Sequence, residues 1–235
     1  MRTLGIDLAA QPDSTGACVV TWTATAAVAT LASPPLGDDE LLRLAADVDV
    51  VAIDAPLGWP DSFITAVAAH HSGQSWPATD PLALRYRCTD LEVALRTGVR
   101  PLSASSDLLA VCAFRAARLQ GALGVAARDG TDRLFEAYPA GALRVWGLPA
   151  TGYKRTRGAP VRTAIVDSLL ALCPWLTVDA ALLRRRDHDL DALLCALVAR
   201  AAATGRTVLP TPQQASLAAR EGWIHLPTSP PGELL

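Results

Sequence analysis

The spacing of apolar and polar positions along this chain predicts an α/β fold. Residues 3–9 form an apolar run that carries an acid, Asp7, near its end and read as a strand. Residues 17–22 and 26–31 follow a polar turn at 11–16 and read as two further strands, making a meander with the first. Residues 38–46 have helical spacing and lead into Val-Val-Ala-Ile-Asp at 50–54, a short apolar run of the kind found in buried parallel strands. A helix in that connection makes a crossover and sets the fourth strand parallel in the sheet. This strand also ends in an acid, Asp54, and the breakers Pro56, Gly58 and Pro60 come directly after it.

No strand pattern occurs between residues 61 and 130. Segments 62–71, 81–96 and 105–127 have helical periodicity and are read as a helical insertion covering the ends of the strands. A fifth strand is expected at 133–139, with Glu136 near its end, then a helical turn at 141–146 and a polar, basic loop at 152–158. Helices are expected at 160–172, 178–185 and 187–204, the last stopped by Gly205. Residues 221–227 read as an extended segment, and 228–235 as a frayed tail. The expectation is one domain, a mixed five-stranded sheet flanked by helices.

The 187–204 helix carries an apolar stripe of Leu190, Leu193, Leu194, Leu197, Val198 and Ala201. His188 and Asp191 lie three residues apart, so they share one flank of that stripe. Asp187 is expected to cap the helix and Asp189 to face solvent.

Composition narrows the class. Hydrophobic residues make up 51% of the 235 and charged ones 19%, enough apolar material for a substantial core. The formal charge of −2 argues against a generic polyanion binder, so any nucleic-acid contact must come from local basic clusters. Lys154 is the one lysine. The five cysteines have no CxxC spacing, which disfavours a zinc site or a disulfide framework. No secretory signal pattern and no apolar run of about 18 residues is present, so a cytoplasmic protein without a membrane span is expected.

Acids at strand ends point to chemistry, because open α/β sheets bind ligands outside the carboxyl ends of their strands. Asp7, Asp54 and Asp191 come from three separate elements and make a candidate metal set, with Glu136 as an assisting acid. Hard cations such as Mg²⁺ or Mn²⁺ take few carboxylates plus water and phosphate oxygens, and can activate water in phosphodiester cleavage. His188 is a candidate ligand or proton shuttle. Lys154, flanked by Tyr153 and Arg155, suits phosphate binding. Arg85, Arg87 and Asp90 are candidate substrate-binding residues, with an internal salt-bridge set as the rival reading. The order of meander, crossover strand, later strand and acidic helix is the ribonuclease H-like layout.

At this point the sequence resembles a known family. Gly-Ile-Asp-Leu-Ala (5–9), Ala-Ile-Asp-Ala-Pro-Leu-Gly (52–58), Glu-Ala-Tyr-Pro-Ala (136–140), Gly-Tyr-Lys (152–154), His-Asp-Leu-Asp-Ala-Leu (188–193) and Glu-Gly-Trp-Ile (221–224) are similar in order to the motifs of the domain-of-unknown-function 429 family. Arg85 with Arg-Cys-Thr-Asp (87–90) resembles that family's arginine-rich Thr-Asp motif. The resemblance implies a ribonuclease H-like nuclease acting on nucleic acid. The last helix is also locally similar to that of Holliday-junction resolvases, where only His188 and Asp191 carry over and Glu136 has no clear counterpart.

Two other classes compete. Gly-Ile-Asp (5–7) with Ser-Thr-Gly (14–16) resembles the first phosphate loop of actin-like phosphotransferases, although this chain is short for their duplicated domains. A non-catalytic scaffold binding nucleic acid or a partner is the third reading. A homodimer is a candidate assembly, and DNA or RNA is left open. Of the six tryptophans, only Trp59, close to Asp54, is placed to stack on a base.

Overall fold

The computed structural model describes residues 1–235. Its centre is a six-stranded sheet in the order β5-β4-β1-β2-β3-β6. β1 (Arg2–Asp7), β2 (Gly16–Trp22) and β3 (Ala27–Leu31) form the expected meander, and β4 (Val50–Asp54) lies parallel to β1 after the crossover helix α1 (Asp38–Ala46). β5 (Leu134–Glu136) pairs parallel to β4, and β6 (Leu176–Thr177) pairs parallel to β3. β2 alone runs against the others.

The sixth strand corrects the expected count of five. At two residues β6 is too short to leave a periodic signal, and only its pairing with Ala27 and Val28 makes it a strand. β5 is likewise shorter than the 133–139 run. Between β4 and β5 lie α2 (Asp61–His71), α3 (Pro81–Arg85), α4 (Cys88–Thr97) and α5 (Ala110–Ala122). The single helix expected over 81–96 is broken at Tyr86–Arg87. Both residues are extended, and Arg87 gives its N–H to the Asp90 carboxylate at 2.9 Å. α5 starts later than expected because Ser103 and Asp107 close a turn ahead of it.

After β5 come α6 (Pro139–Val145), α7 (Ala159–Leu172), α8 (Ala180–Arg185), α9 (Asp187–Ala203) and α10 (Ala215–Glu221). α9 packs across the centre of the sheet. Its apolar residues are buried on every side between Leu190 and Ala199, so it is an enclosed core helix rather than a one-striped amphipathic one. That burial overturns the solvent-facing placement of Asp189, which is buried with its carboxylate 3.2 Å from Arg186. Asp187 is the first helical residue, not the cap. Its carboxylate accepts the Arg155 N–H at 3.0 Å.

Residues 223–227 run extended beside β5, with His225 N–H donating to the Glu136 carbonyl. The tail beyond them does not fray. Trp146 donates to the Ser229 carbonyl, Trp175 to that of Gly232, and Leu234 is fully buried in the larger core. The two indoles give the proline-rich end fixed partners that local composition does not reveal. No helix is long and apolar enough to cross a membrane.

His225 is buried, bonded to Thr207 through Nδ1 (2.9 Å) and to the Asp129 carbonyl through Nε2 (3.2 Å). Burial holds its pKa down at about 4, against 6.5 for a free histidine. The folded imidazole is therefore neutral, and its stabilising contribution is intact above pH 6.5. The contribution is lost as the pH falls through 4, by up to about 3 kcal/mol. Urea unfolding from pH 7 to 4 should show a smaller fall in stability for His225→Gln than for the parent chain.

Candidate active site

Register and periodicity bring the acids together. β1 and β4 pair in parallel with Asp7 opposite Asp54, so two carboxylates sit side by side at the carboxyl edge of the sheet. Strand alternation puts Asp7 on the same face as Thr3 and Gly5, and this face meets α9. Thr3 Oγ1 donates to the Ala196 carbonyl at 3.0 Å. A Cβ on Gly5 would collide with the backbone of Ala192 and Ala196, and one on Gly16 with the carbonyl of His188. These two glycines let α9 lie directly on the sheet, which carries Asp191 to the paired strand-end acids. One carboxylate oxygen from each of Asp7, Asp54 and Asp191 lies within 4.8 Å of the others. Packing against His188 also accounts for Gly16 without a phosphate loop.

Each acid is held differently. His188 Nδ1 is 2.6 Å from Asp7 Oδ2, and that hydrogen bond raises the imidazole pKa. Asp191 is fully buried, with Tyr153 OH donating to Oδ1 at 2.9 Å and the Lys154 ammonium on Oδ2. Burial pushes its pKa up to about 6 despite Lys154. Although burial opposes the charged form, Asp191 outweighs it and holds Lys154 firmly protonated. Asp54 accepts no hydrogen bond. Burial first, and the neighbouring Asp7 next, raise its pKa well above the usual carboxylate range.

The loop carrying Tyr153 and Lys154 is anchored from beneath. Arg162, 2% exposed, donates to the carbonyls of Tyr153, Arg155, Arg184 and Arg185. Arg155 adopts φ 62°, a left-handed conformation that costs a non-glycine residue energy and persists where the surroundings enforce it. Arg162 was not singled out in the sequence, where nothing separates it from the other arginines.

Glu136, the assisting acid, is clamped by an arginine. Its two oxygens accept Arg87 Nη2 at 2.7 Å and Nη1 at 2.8 Å, and Oε2 also accepts the Leu57 N–H. Burial pushes its pKa up while Arg87 opposes the rise. All five N–H donors of Arg87 are used, on Asp90, Glu136 and the Glu221 carbonyl. Arg87 and Asp90 are thus buried partners of each other, as the salt-bridge reading had it, while Arg87 also lines the cleft that holds Asp7 and Asp54. Arg85 is half-exposed beside Ser106 and outside the acidic centre. Glu221, given no role by the sequence, accepts the first N–H of both α2 and α4, from Asp61 (2.7 Å) and Cys88 (2.8 Å). Trp59 packs on Phe114 at 6.0 Å between ring centres.

Two concavities flank the acids. A cleft of about 380 Å³ has Asp7, Asp54, Glu136 and Arg87 in its wall, with Arg100 and Tyr138 beside them. A trough of about 710 Å³ runs from Lys154 and His188 past Arg155 and the 184–186 arginines.

Because Arg87 joins α4 to β5 through two buried carboxylates, Arg87→Met should destabilise the fold by about 3–5 kcal/mol. Pairing it with Glu136→Leu should recover part of that loss, since one stranded charge is then removed. Urea unfolding of the single and double variants measures both.

No curated protein and no solved structure matches the chain. A family model described as a protein of unknown function (DUF429) matches residues 5–215. The three acids, the Tyr153–Lys154 loop and the Arg87 clamp all fall inside that span, and the chain belongs to the DUF429 family.

Proposed function

We propose that this chain is a divalent-metal-dependent nuclease with a ribonuclease H-like fold, using Asp7, Asp54 and Asp191 to hold Mg²⁺ or Mn²⁺. The observation that carries the reading is Asp54. Its carboxylate makes no hydrogen bond, yet it is pressed against two other acids at the end of a parallel strand. A like-charged cluster of this kind is costly unless protons or a cation neutralise it. Three carboxylates bring three negative charges and Lys154 returns one, a balance that one divalent ion completes. The donor set is all oxygen, as hard cations prefer. The order β5-β4-β1-β2-β3, with β2 reversed, supports the ribonuclease H-like assignment.

A bound cation there would polarise a phosphodiester oxygen and lower the pKa of water. The chain's own residues supply the rest. Tyr153 fixes the rotamer of Asp191 through Oδ1. Lys154, half-exposed, offers ammonium protons to a phosphate oxygen entering from the trough. His188 is held by Asp7 through Nδ1 and has no protein partner at Nε2, so it can hold and deliver a proton there to the leaving oxygen. Glu136 stays outside the chemistry and supports the strand end through Arg87.

Asp54→Asn should abolish Mn²⁺-dependent cleavage of nucleic acid while the metal-free melting temperature stays level or rises by ~2–4 °C, as about 1 kcal/mol of repulsion is relieved. In the parent chain, Mn²⁺ at about 100 times its Kd should stabilise the fold by about 2.7 kcal/mol, and Asp54→Asn should lose that gain. Cleavage unchanged by the substitution would overturn the reading. Mn²⁺ affinity, measured by calorimetry, should fall as the pH drops below about 6, because the cation must displace protons from Asp191 and Asp54.

A further inference from the structure

We propose that the trough beside the acidic centre is a track for the phosphate backbone of a nucleic-acid strand, leading successive phosphates to Lys154 and His188. The inference rests on the nuclease reading for its direction, but its evidence lies in separate residues.

The trough floor contains a buried cation without a counter-ion. Arg162 spends its donors on four backbone carbonyls and pairs with no carboxylate. Such a charge is normally buried only with an acid beside it. Carbonyl dipoles fix its geometry but leave the net charge, so the concavity above it is positive. Arg155 and Arg185 flank the same floor. Both are exposed, and neither side chain makes a hydrogen bond or ion pair. Arg184 and Arg186 already have acid partners in Asp167 and Asp189. Asp187 is the one acid in the lining, and its carboxylate accepts the Arg155 N–H. Within an overall acidic chain, this is a local concentration of unsatisfied positive charge, and its lining includes Lys154 and His188, the side chains bonded to Asp191 and Asp7.

The chemistry selected is a run of phosphate oxyanions. Guanidinium forks match phosphate oxygens, and separate arginines along a trough suit several phosphates better than one. No Phe, Tyr or Trp lines the trough and its one ring, His188, is held by Asp7, so base stacking does not select the strand and binding should tolerate any sequence. The trough's volume of about 710 Å³ also exceeds what a single phosphate fills.

The test is fluorescence anisotropy with labelled oligothymidylate and oligouridylate in EDTA, where no cleavage interferes. Arg155→Ala/Arg185→Ala should bind roughly tenfold more weakly than the parent at ~0.1 M salt, and its log K against log salt should be shallower by about 1.4. Its melting temperature should change little, since neither removed side chain makes a hydrogen bond or ion pair. Asp54→Asn should bind as tightly as the parent or more so. Equal binding by the double variant and the parent, or no binding of either strand by the parent, would overturn the proposal. So would inorganic pyrophosphate competing as strongly, per mole, as the oligonucleotide, which would mark a site for small phosphates. A chain that binds strands through these arginines but never cleaves them with Mn²⁺ would refute the nuclease reading and leave the track standing.

Discussion

The distance between α9 and β1 governs the rest of this structure. A helix usually rests on a sheet through side chains, which hold its backbone off the strands. Here Gly5 and Gly16 remove the side chains at the crossing, and the α9 backbone drops onto the strands with Thr3 bonded to its carbonyl. Asp191, one turn into α9, is thereby brought level with acids that terminate two neighbouring strands. With bulkier residues at positions 5 and 16 the helix would ride higher, and the third carboxylate would leave the group. The acidic centre is therefore a product of core packing as much as of loop chemistry.

Closely packed charge imposes a second constraint, and the molecule meets it in two ways. Glu136 and Asp90 share one arginine whose five donors are all taken, so that cluster is internally complete. The Asp7–Asp54–Asp191 cluster is incomplete. Its nearby positive groups are a half-exposed lysine and an imidazole that titrates, and one of its acids has no partner. Completeness separates the supporting acids from the candidate reacting ones better than burial does, since Glu136 and Asp191 are both buried.

Arg162 shows the converse arrangement, a cation held by carbonyls alone. It ties the Tyr153–Arg155 loop to the end of α8, and so positions Lys154 against Asp191. The negative centre and the positive trough are neighbours that share Lys154 and His188. A polyanion can then approach along the trough, although clustered acids alone would repel it.

The meander, the crossover into β4 and the acids at two strand ends were legible in the chain, because short apolar runs and helical spacing are local signals. The sequence also marked His188 and Asp191 as neighbours, since helical geometry joins residues three apart. It could not reveal β6, whose two residues become a strand only by pairing, or the docking of the tail, which depends on indoles 83 and 57 residues away in the chain. The burial of Asp189 was equally hidden, because a helix enclosed on all sides has no solvent face for the pattern to record. Strand-end and helix positions grouped Asp7, Asp54 and Asp191, but which acid is clamped became visible only in the fold. Asp54 and Glu136 both stand near the end of an apolar run, and nothing in their flanking residues tells a free carboxylate from a clamped one. The difference is an arginine 49 residues from Glu136 in the chain, and only the fold brings it within 2.7 Å.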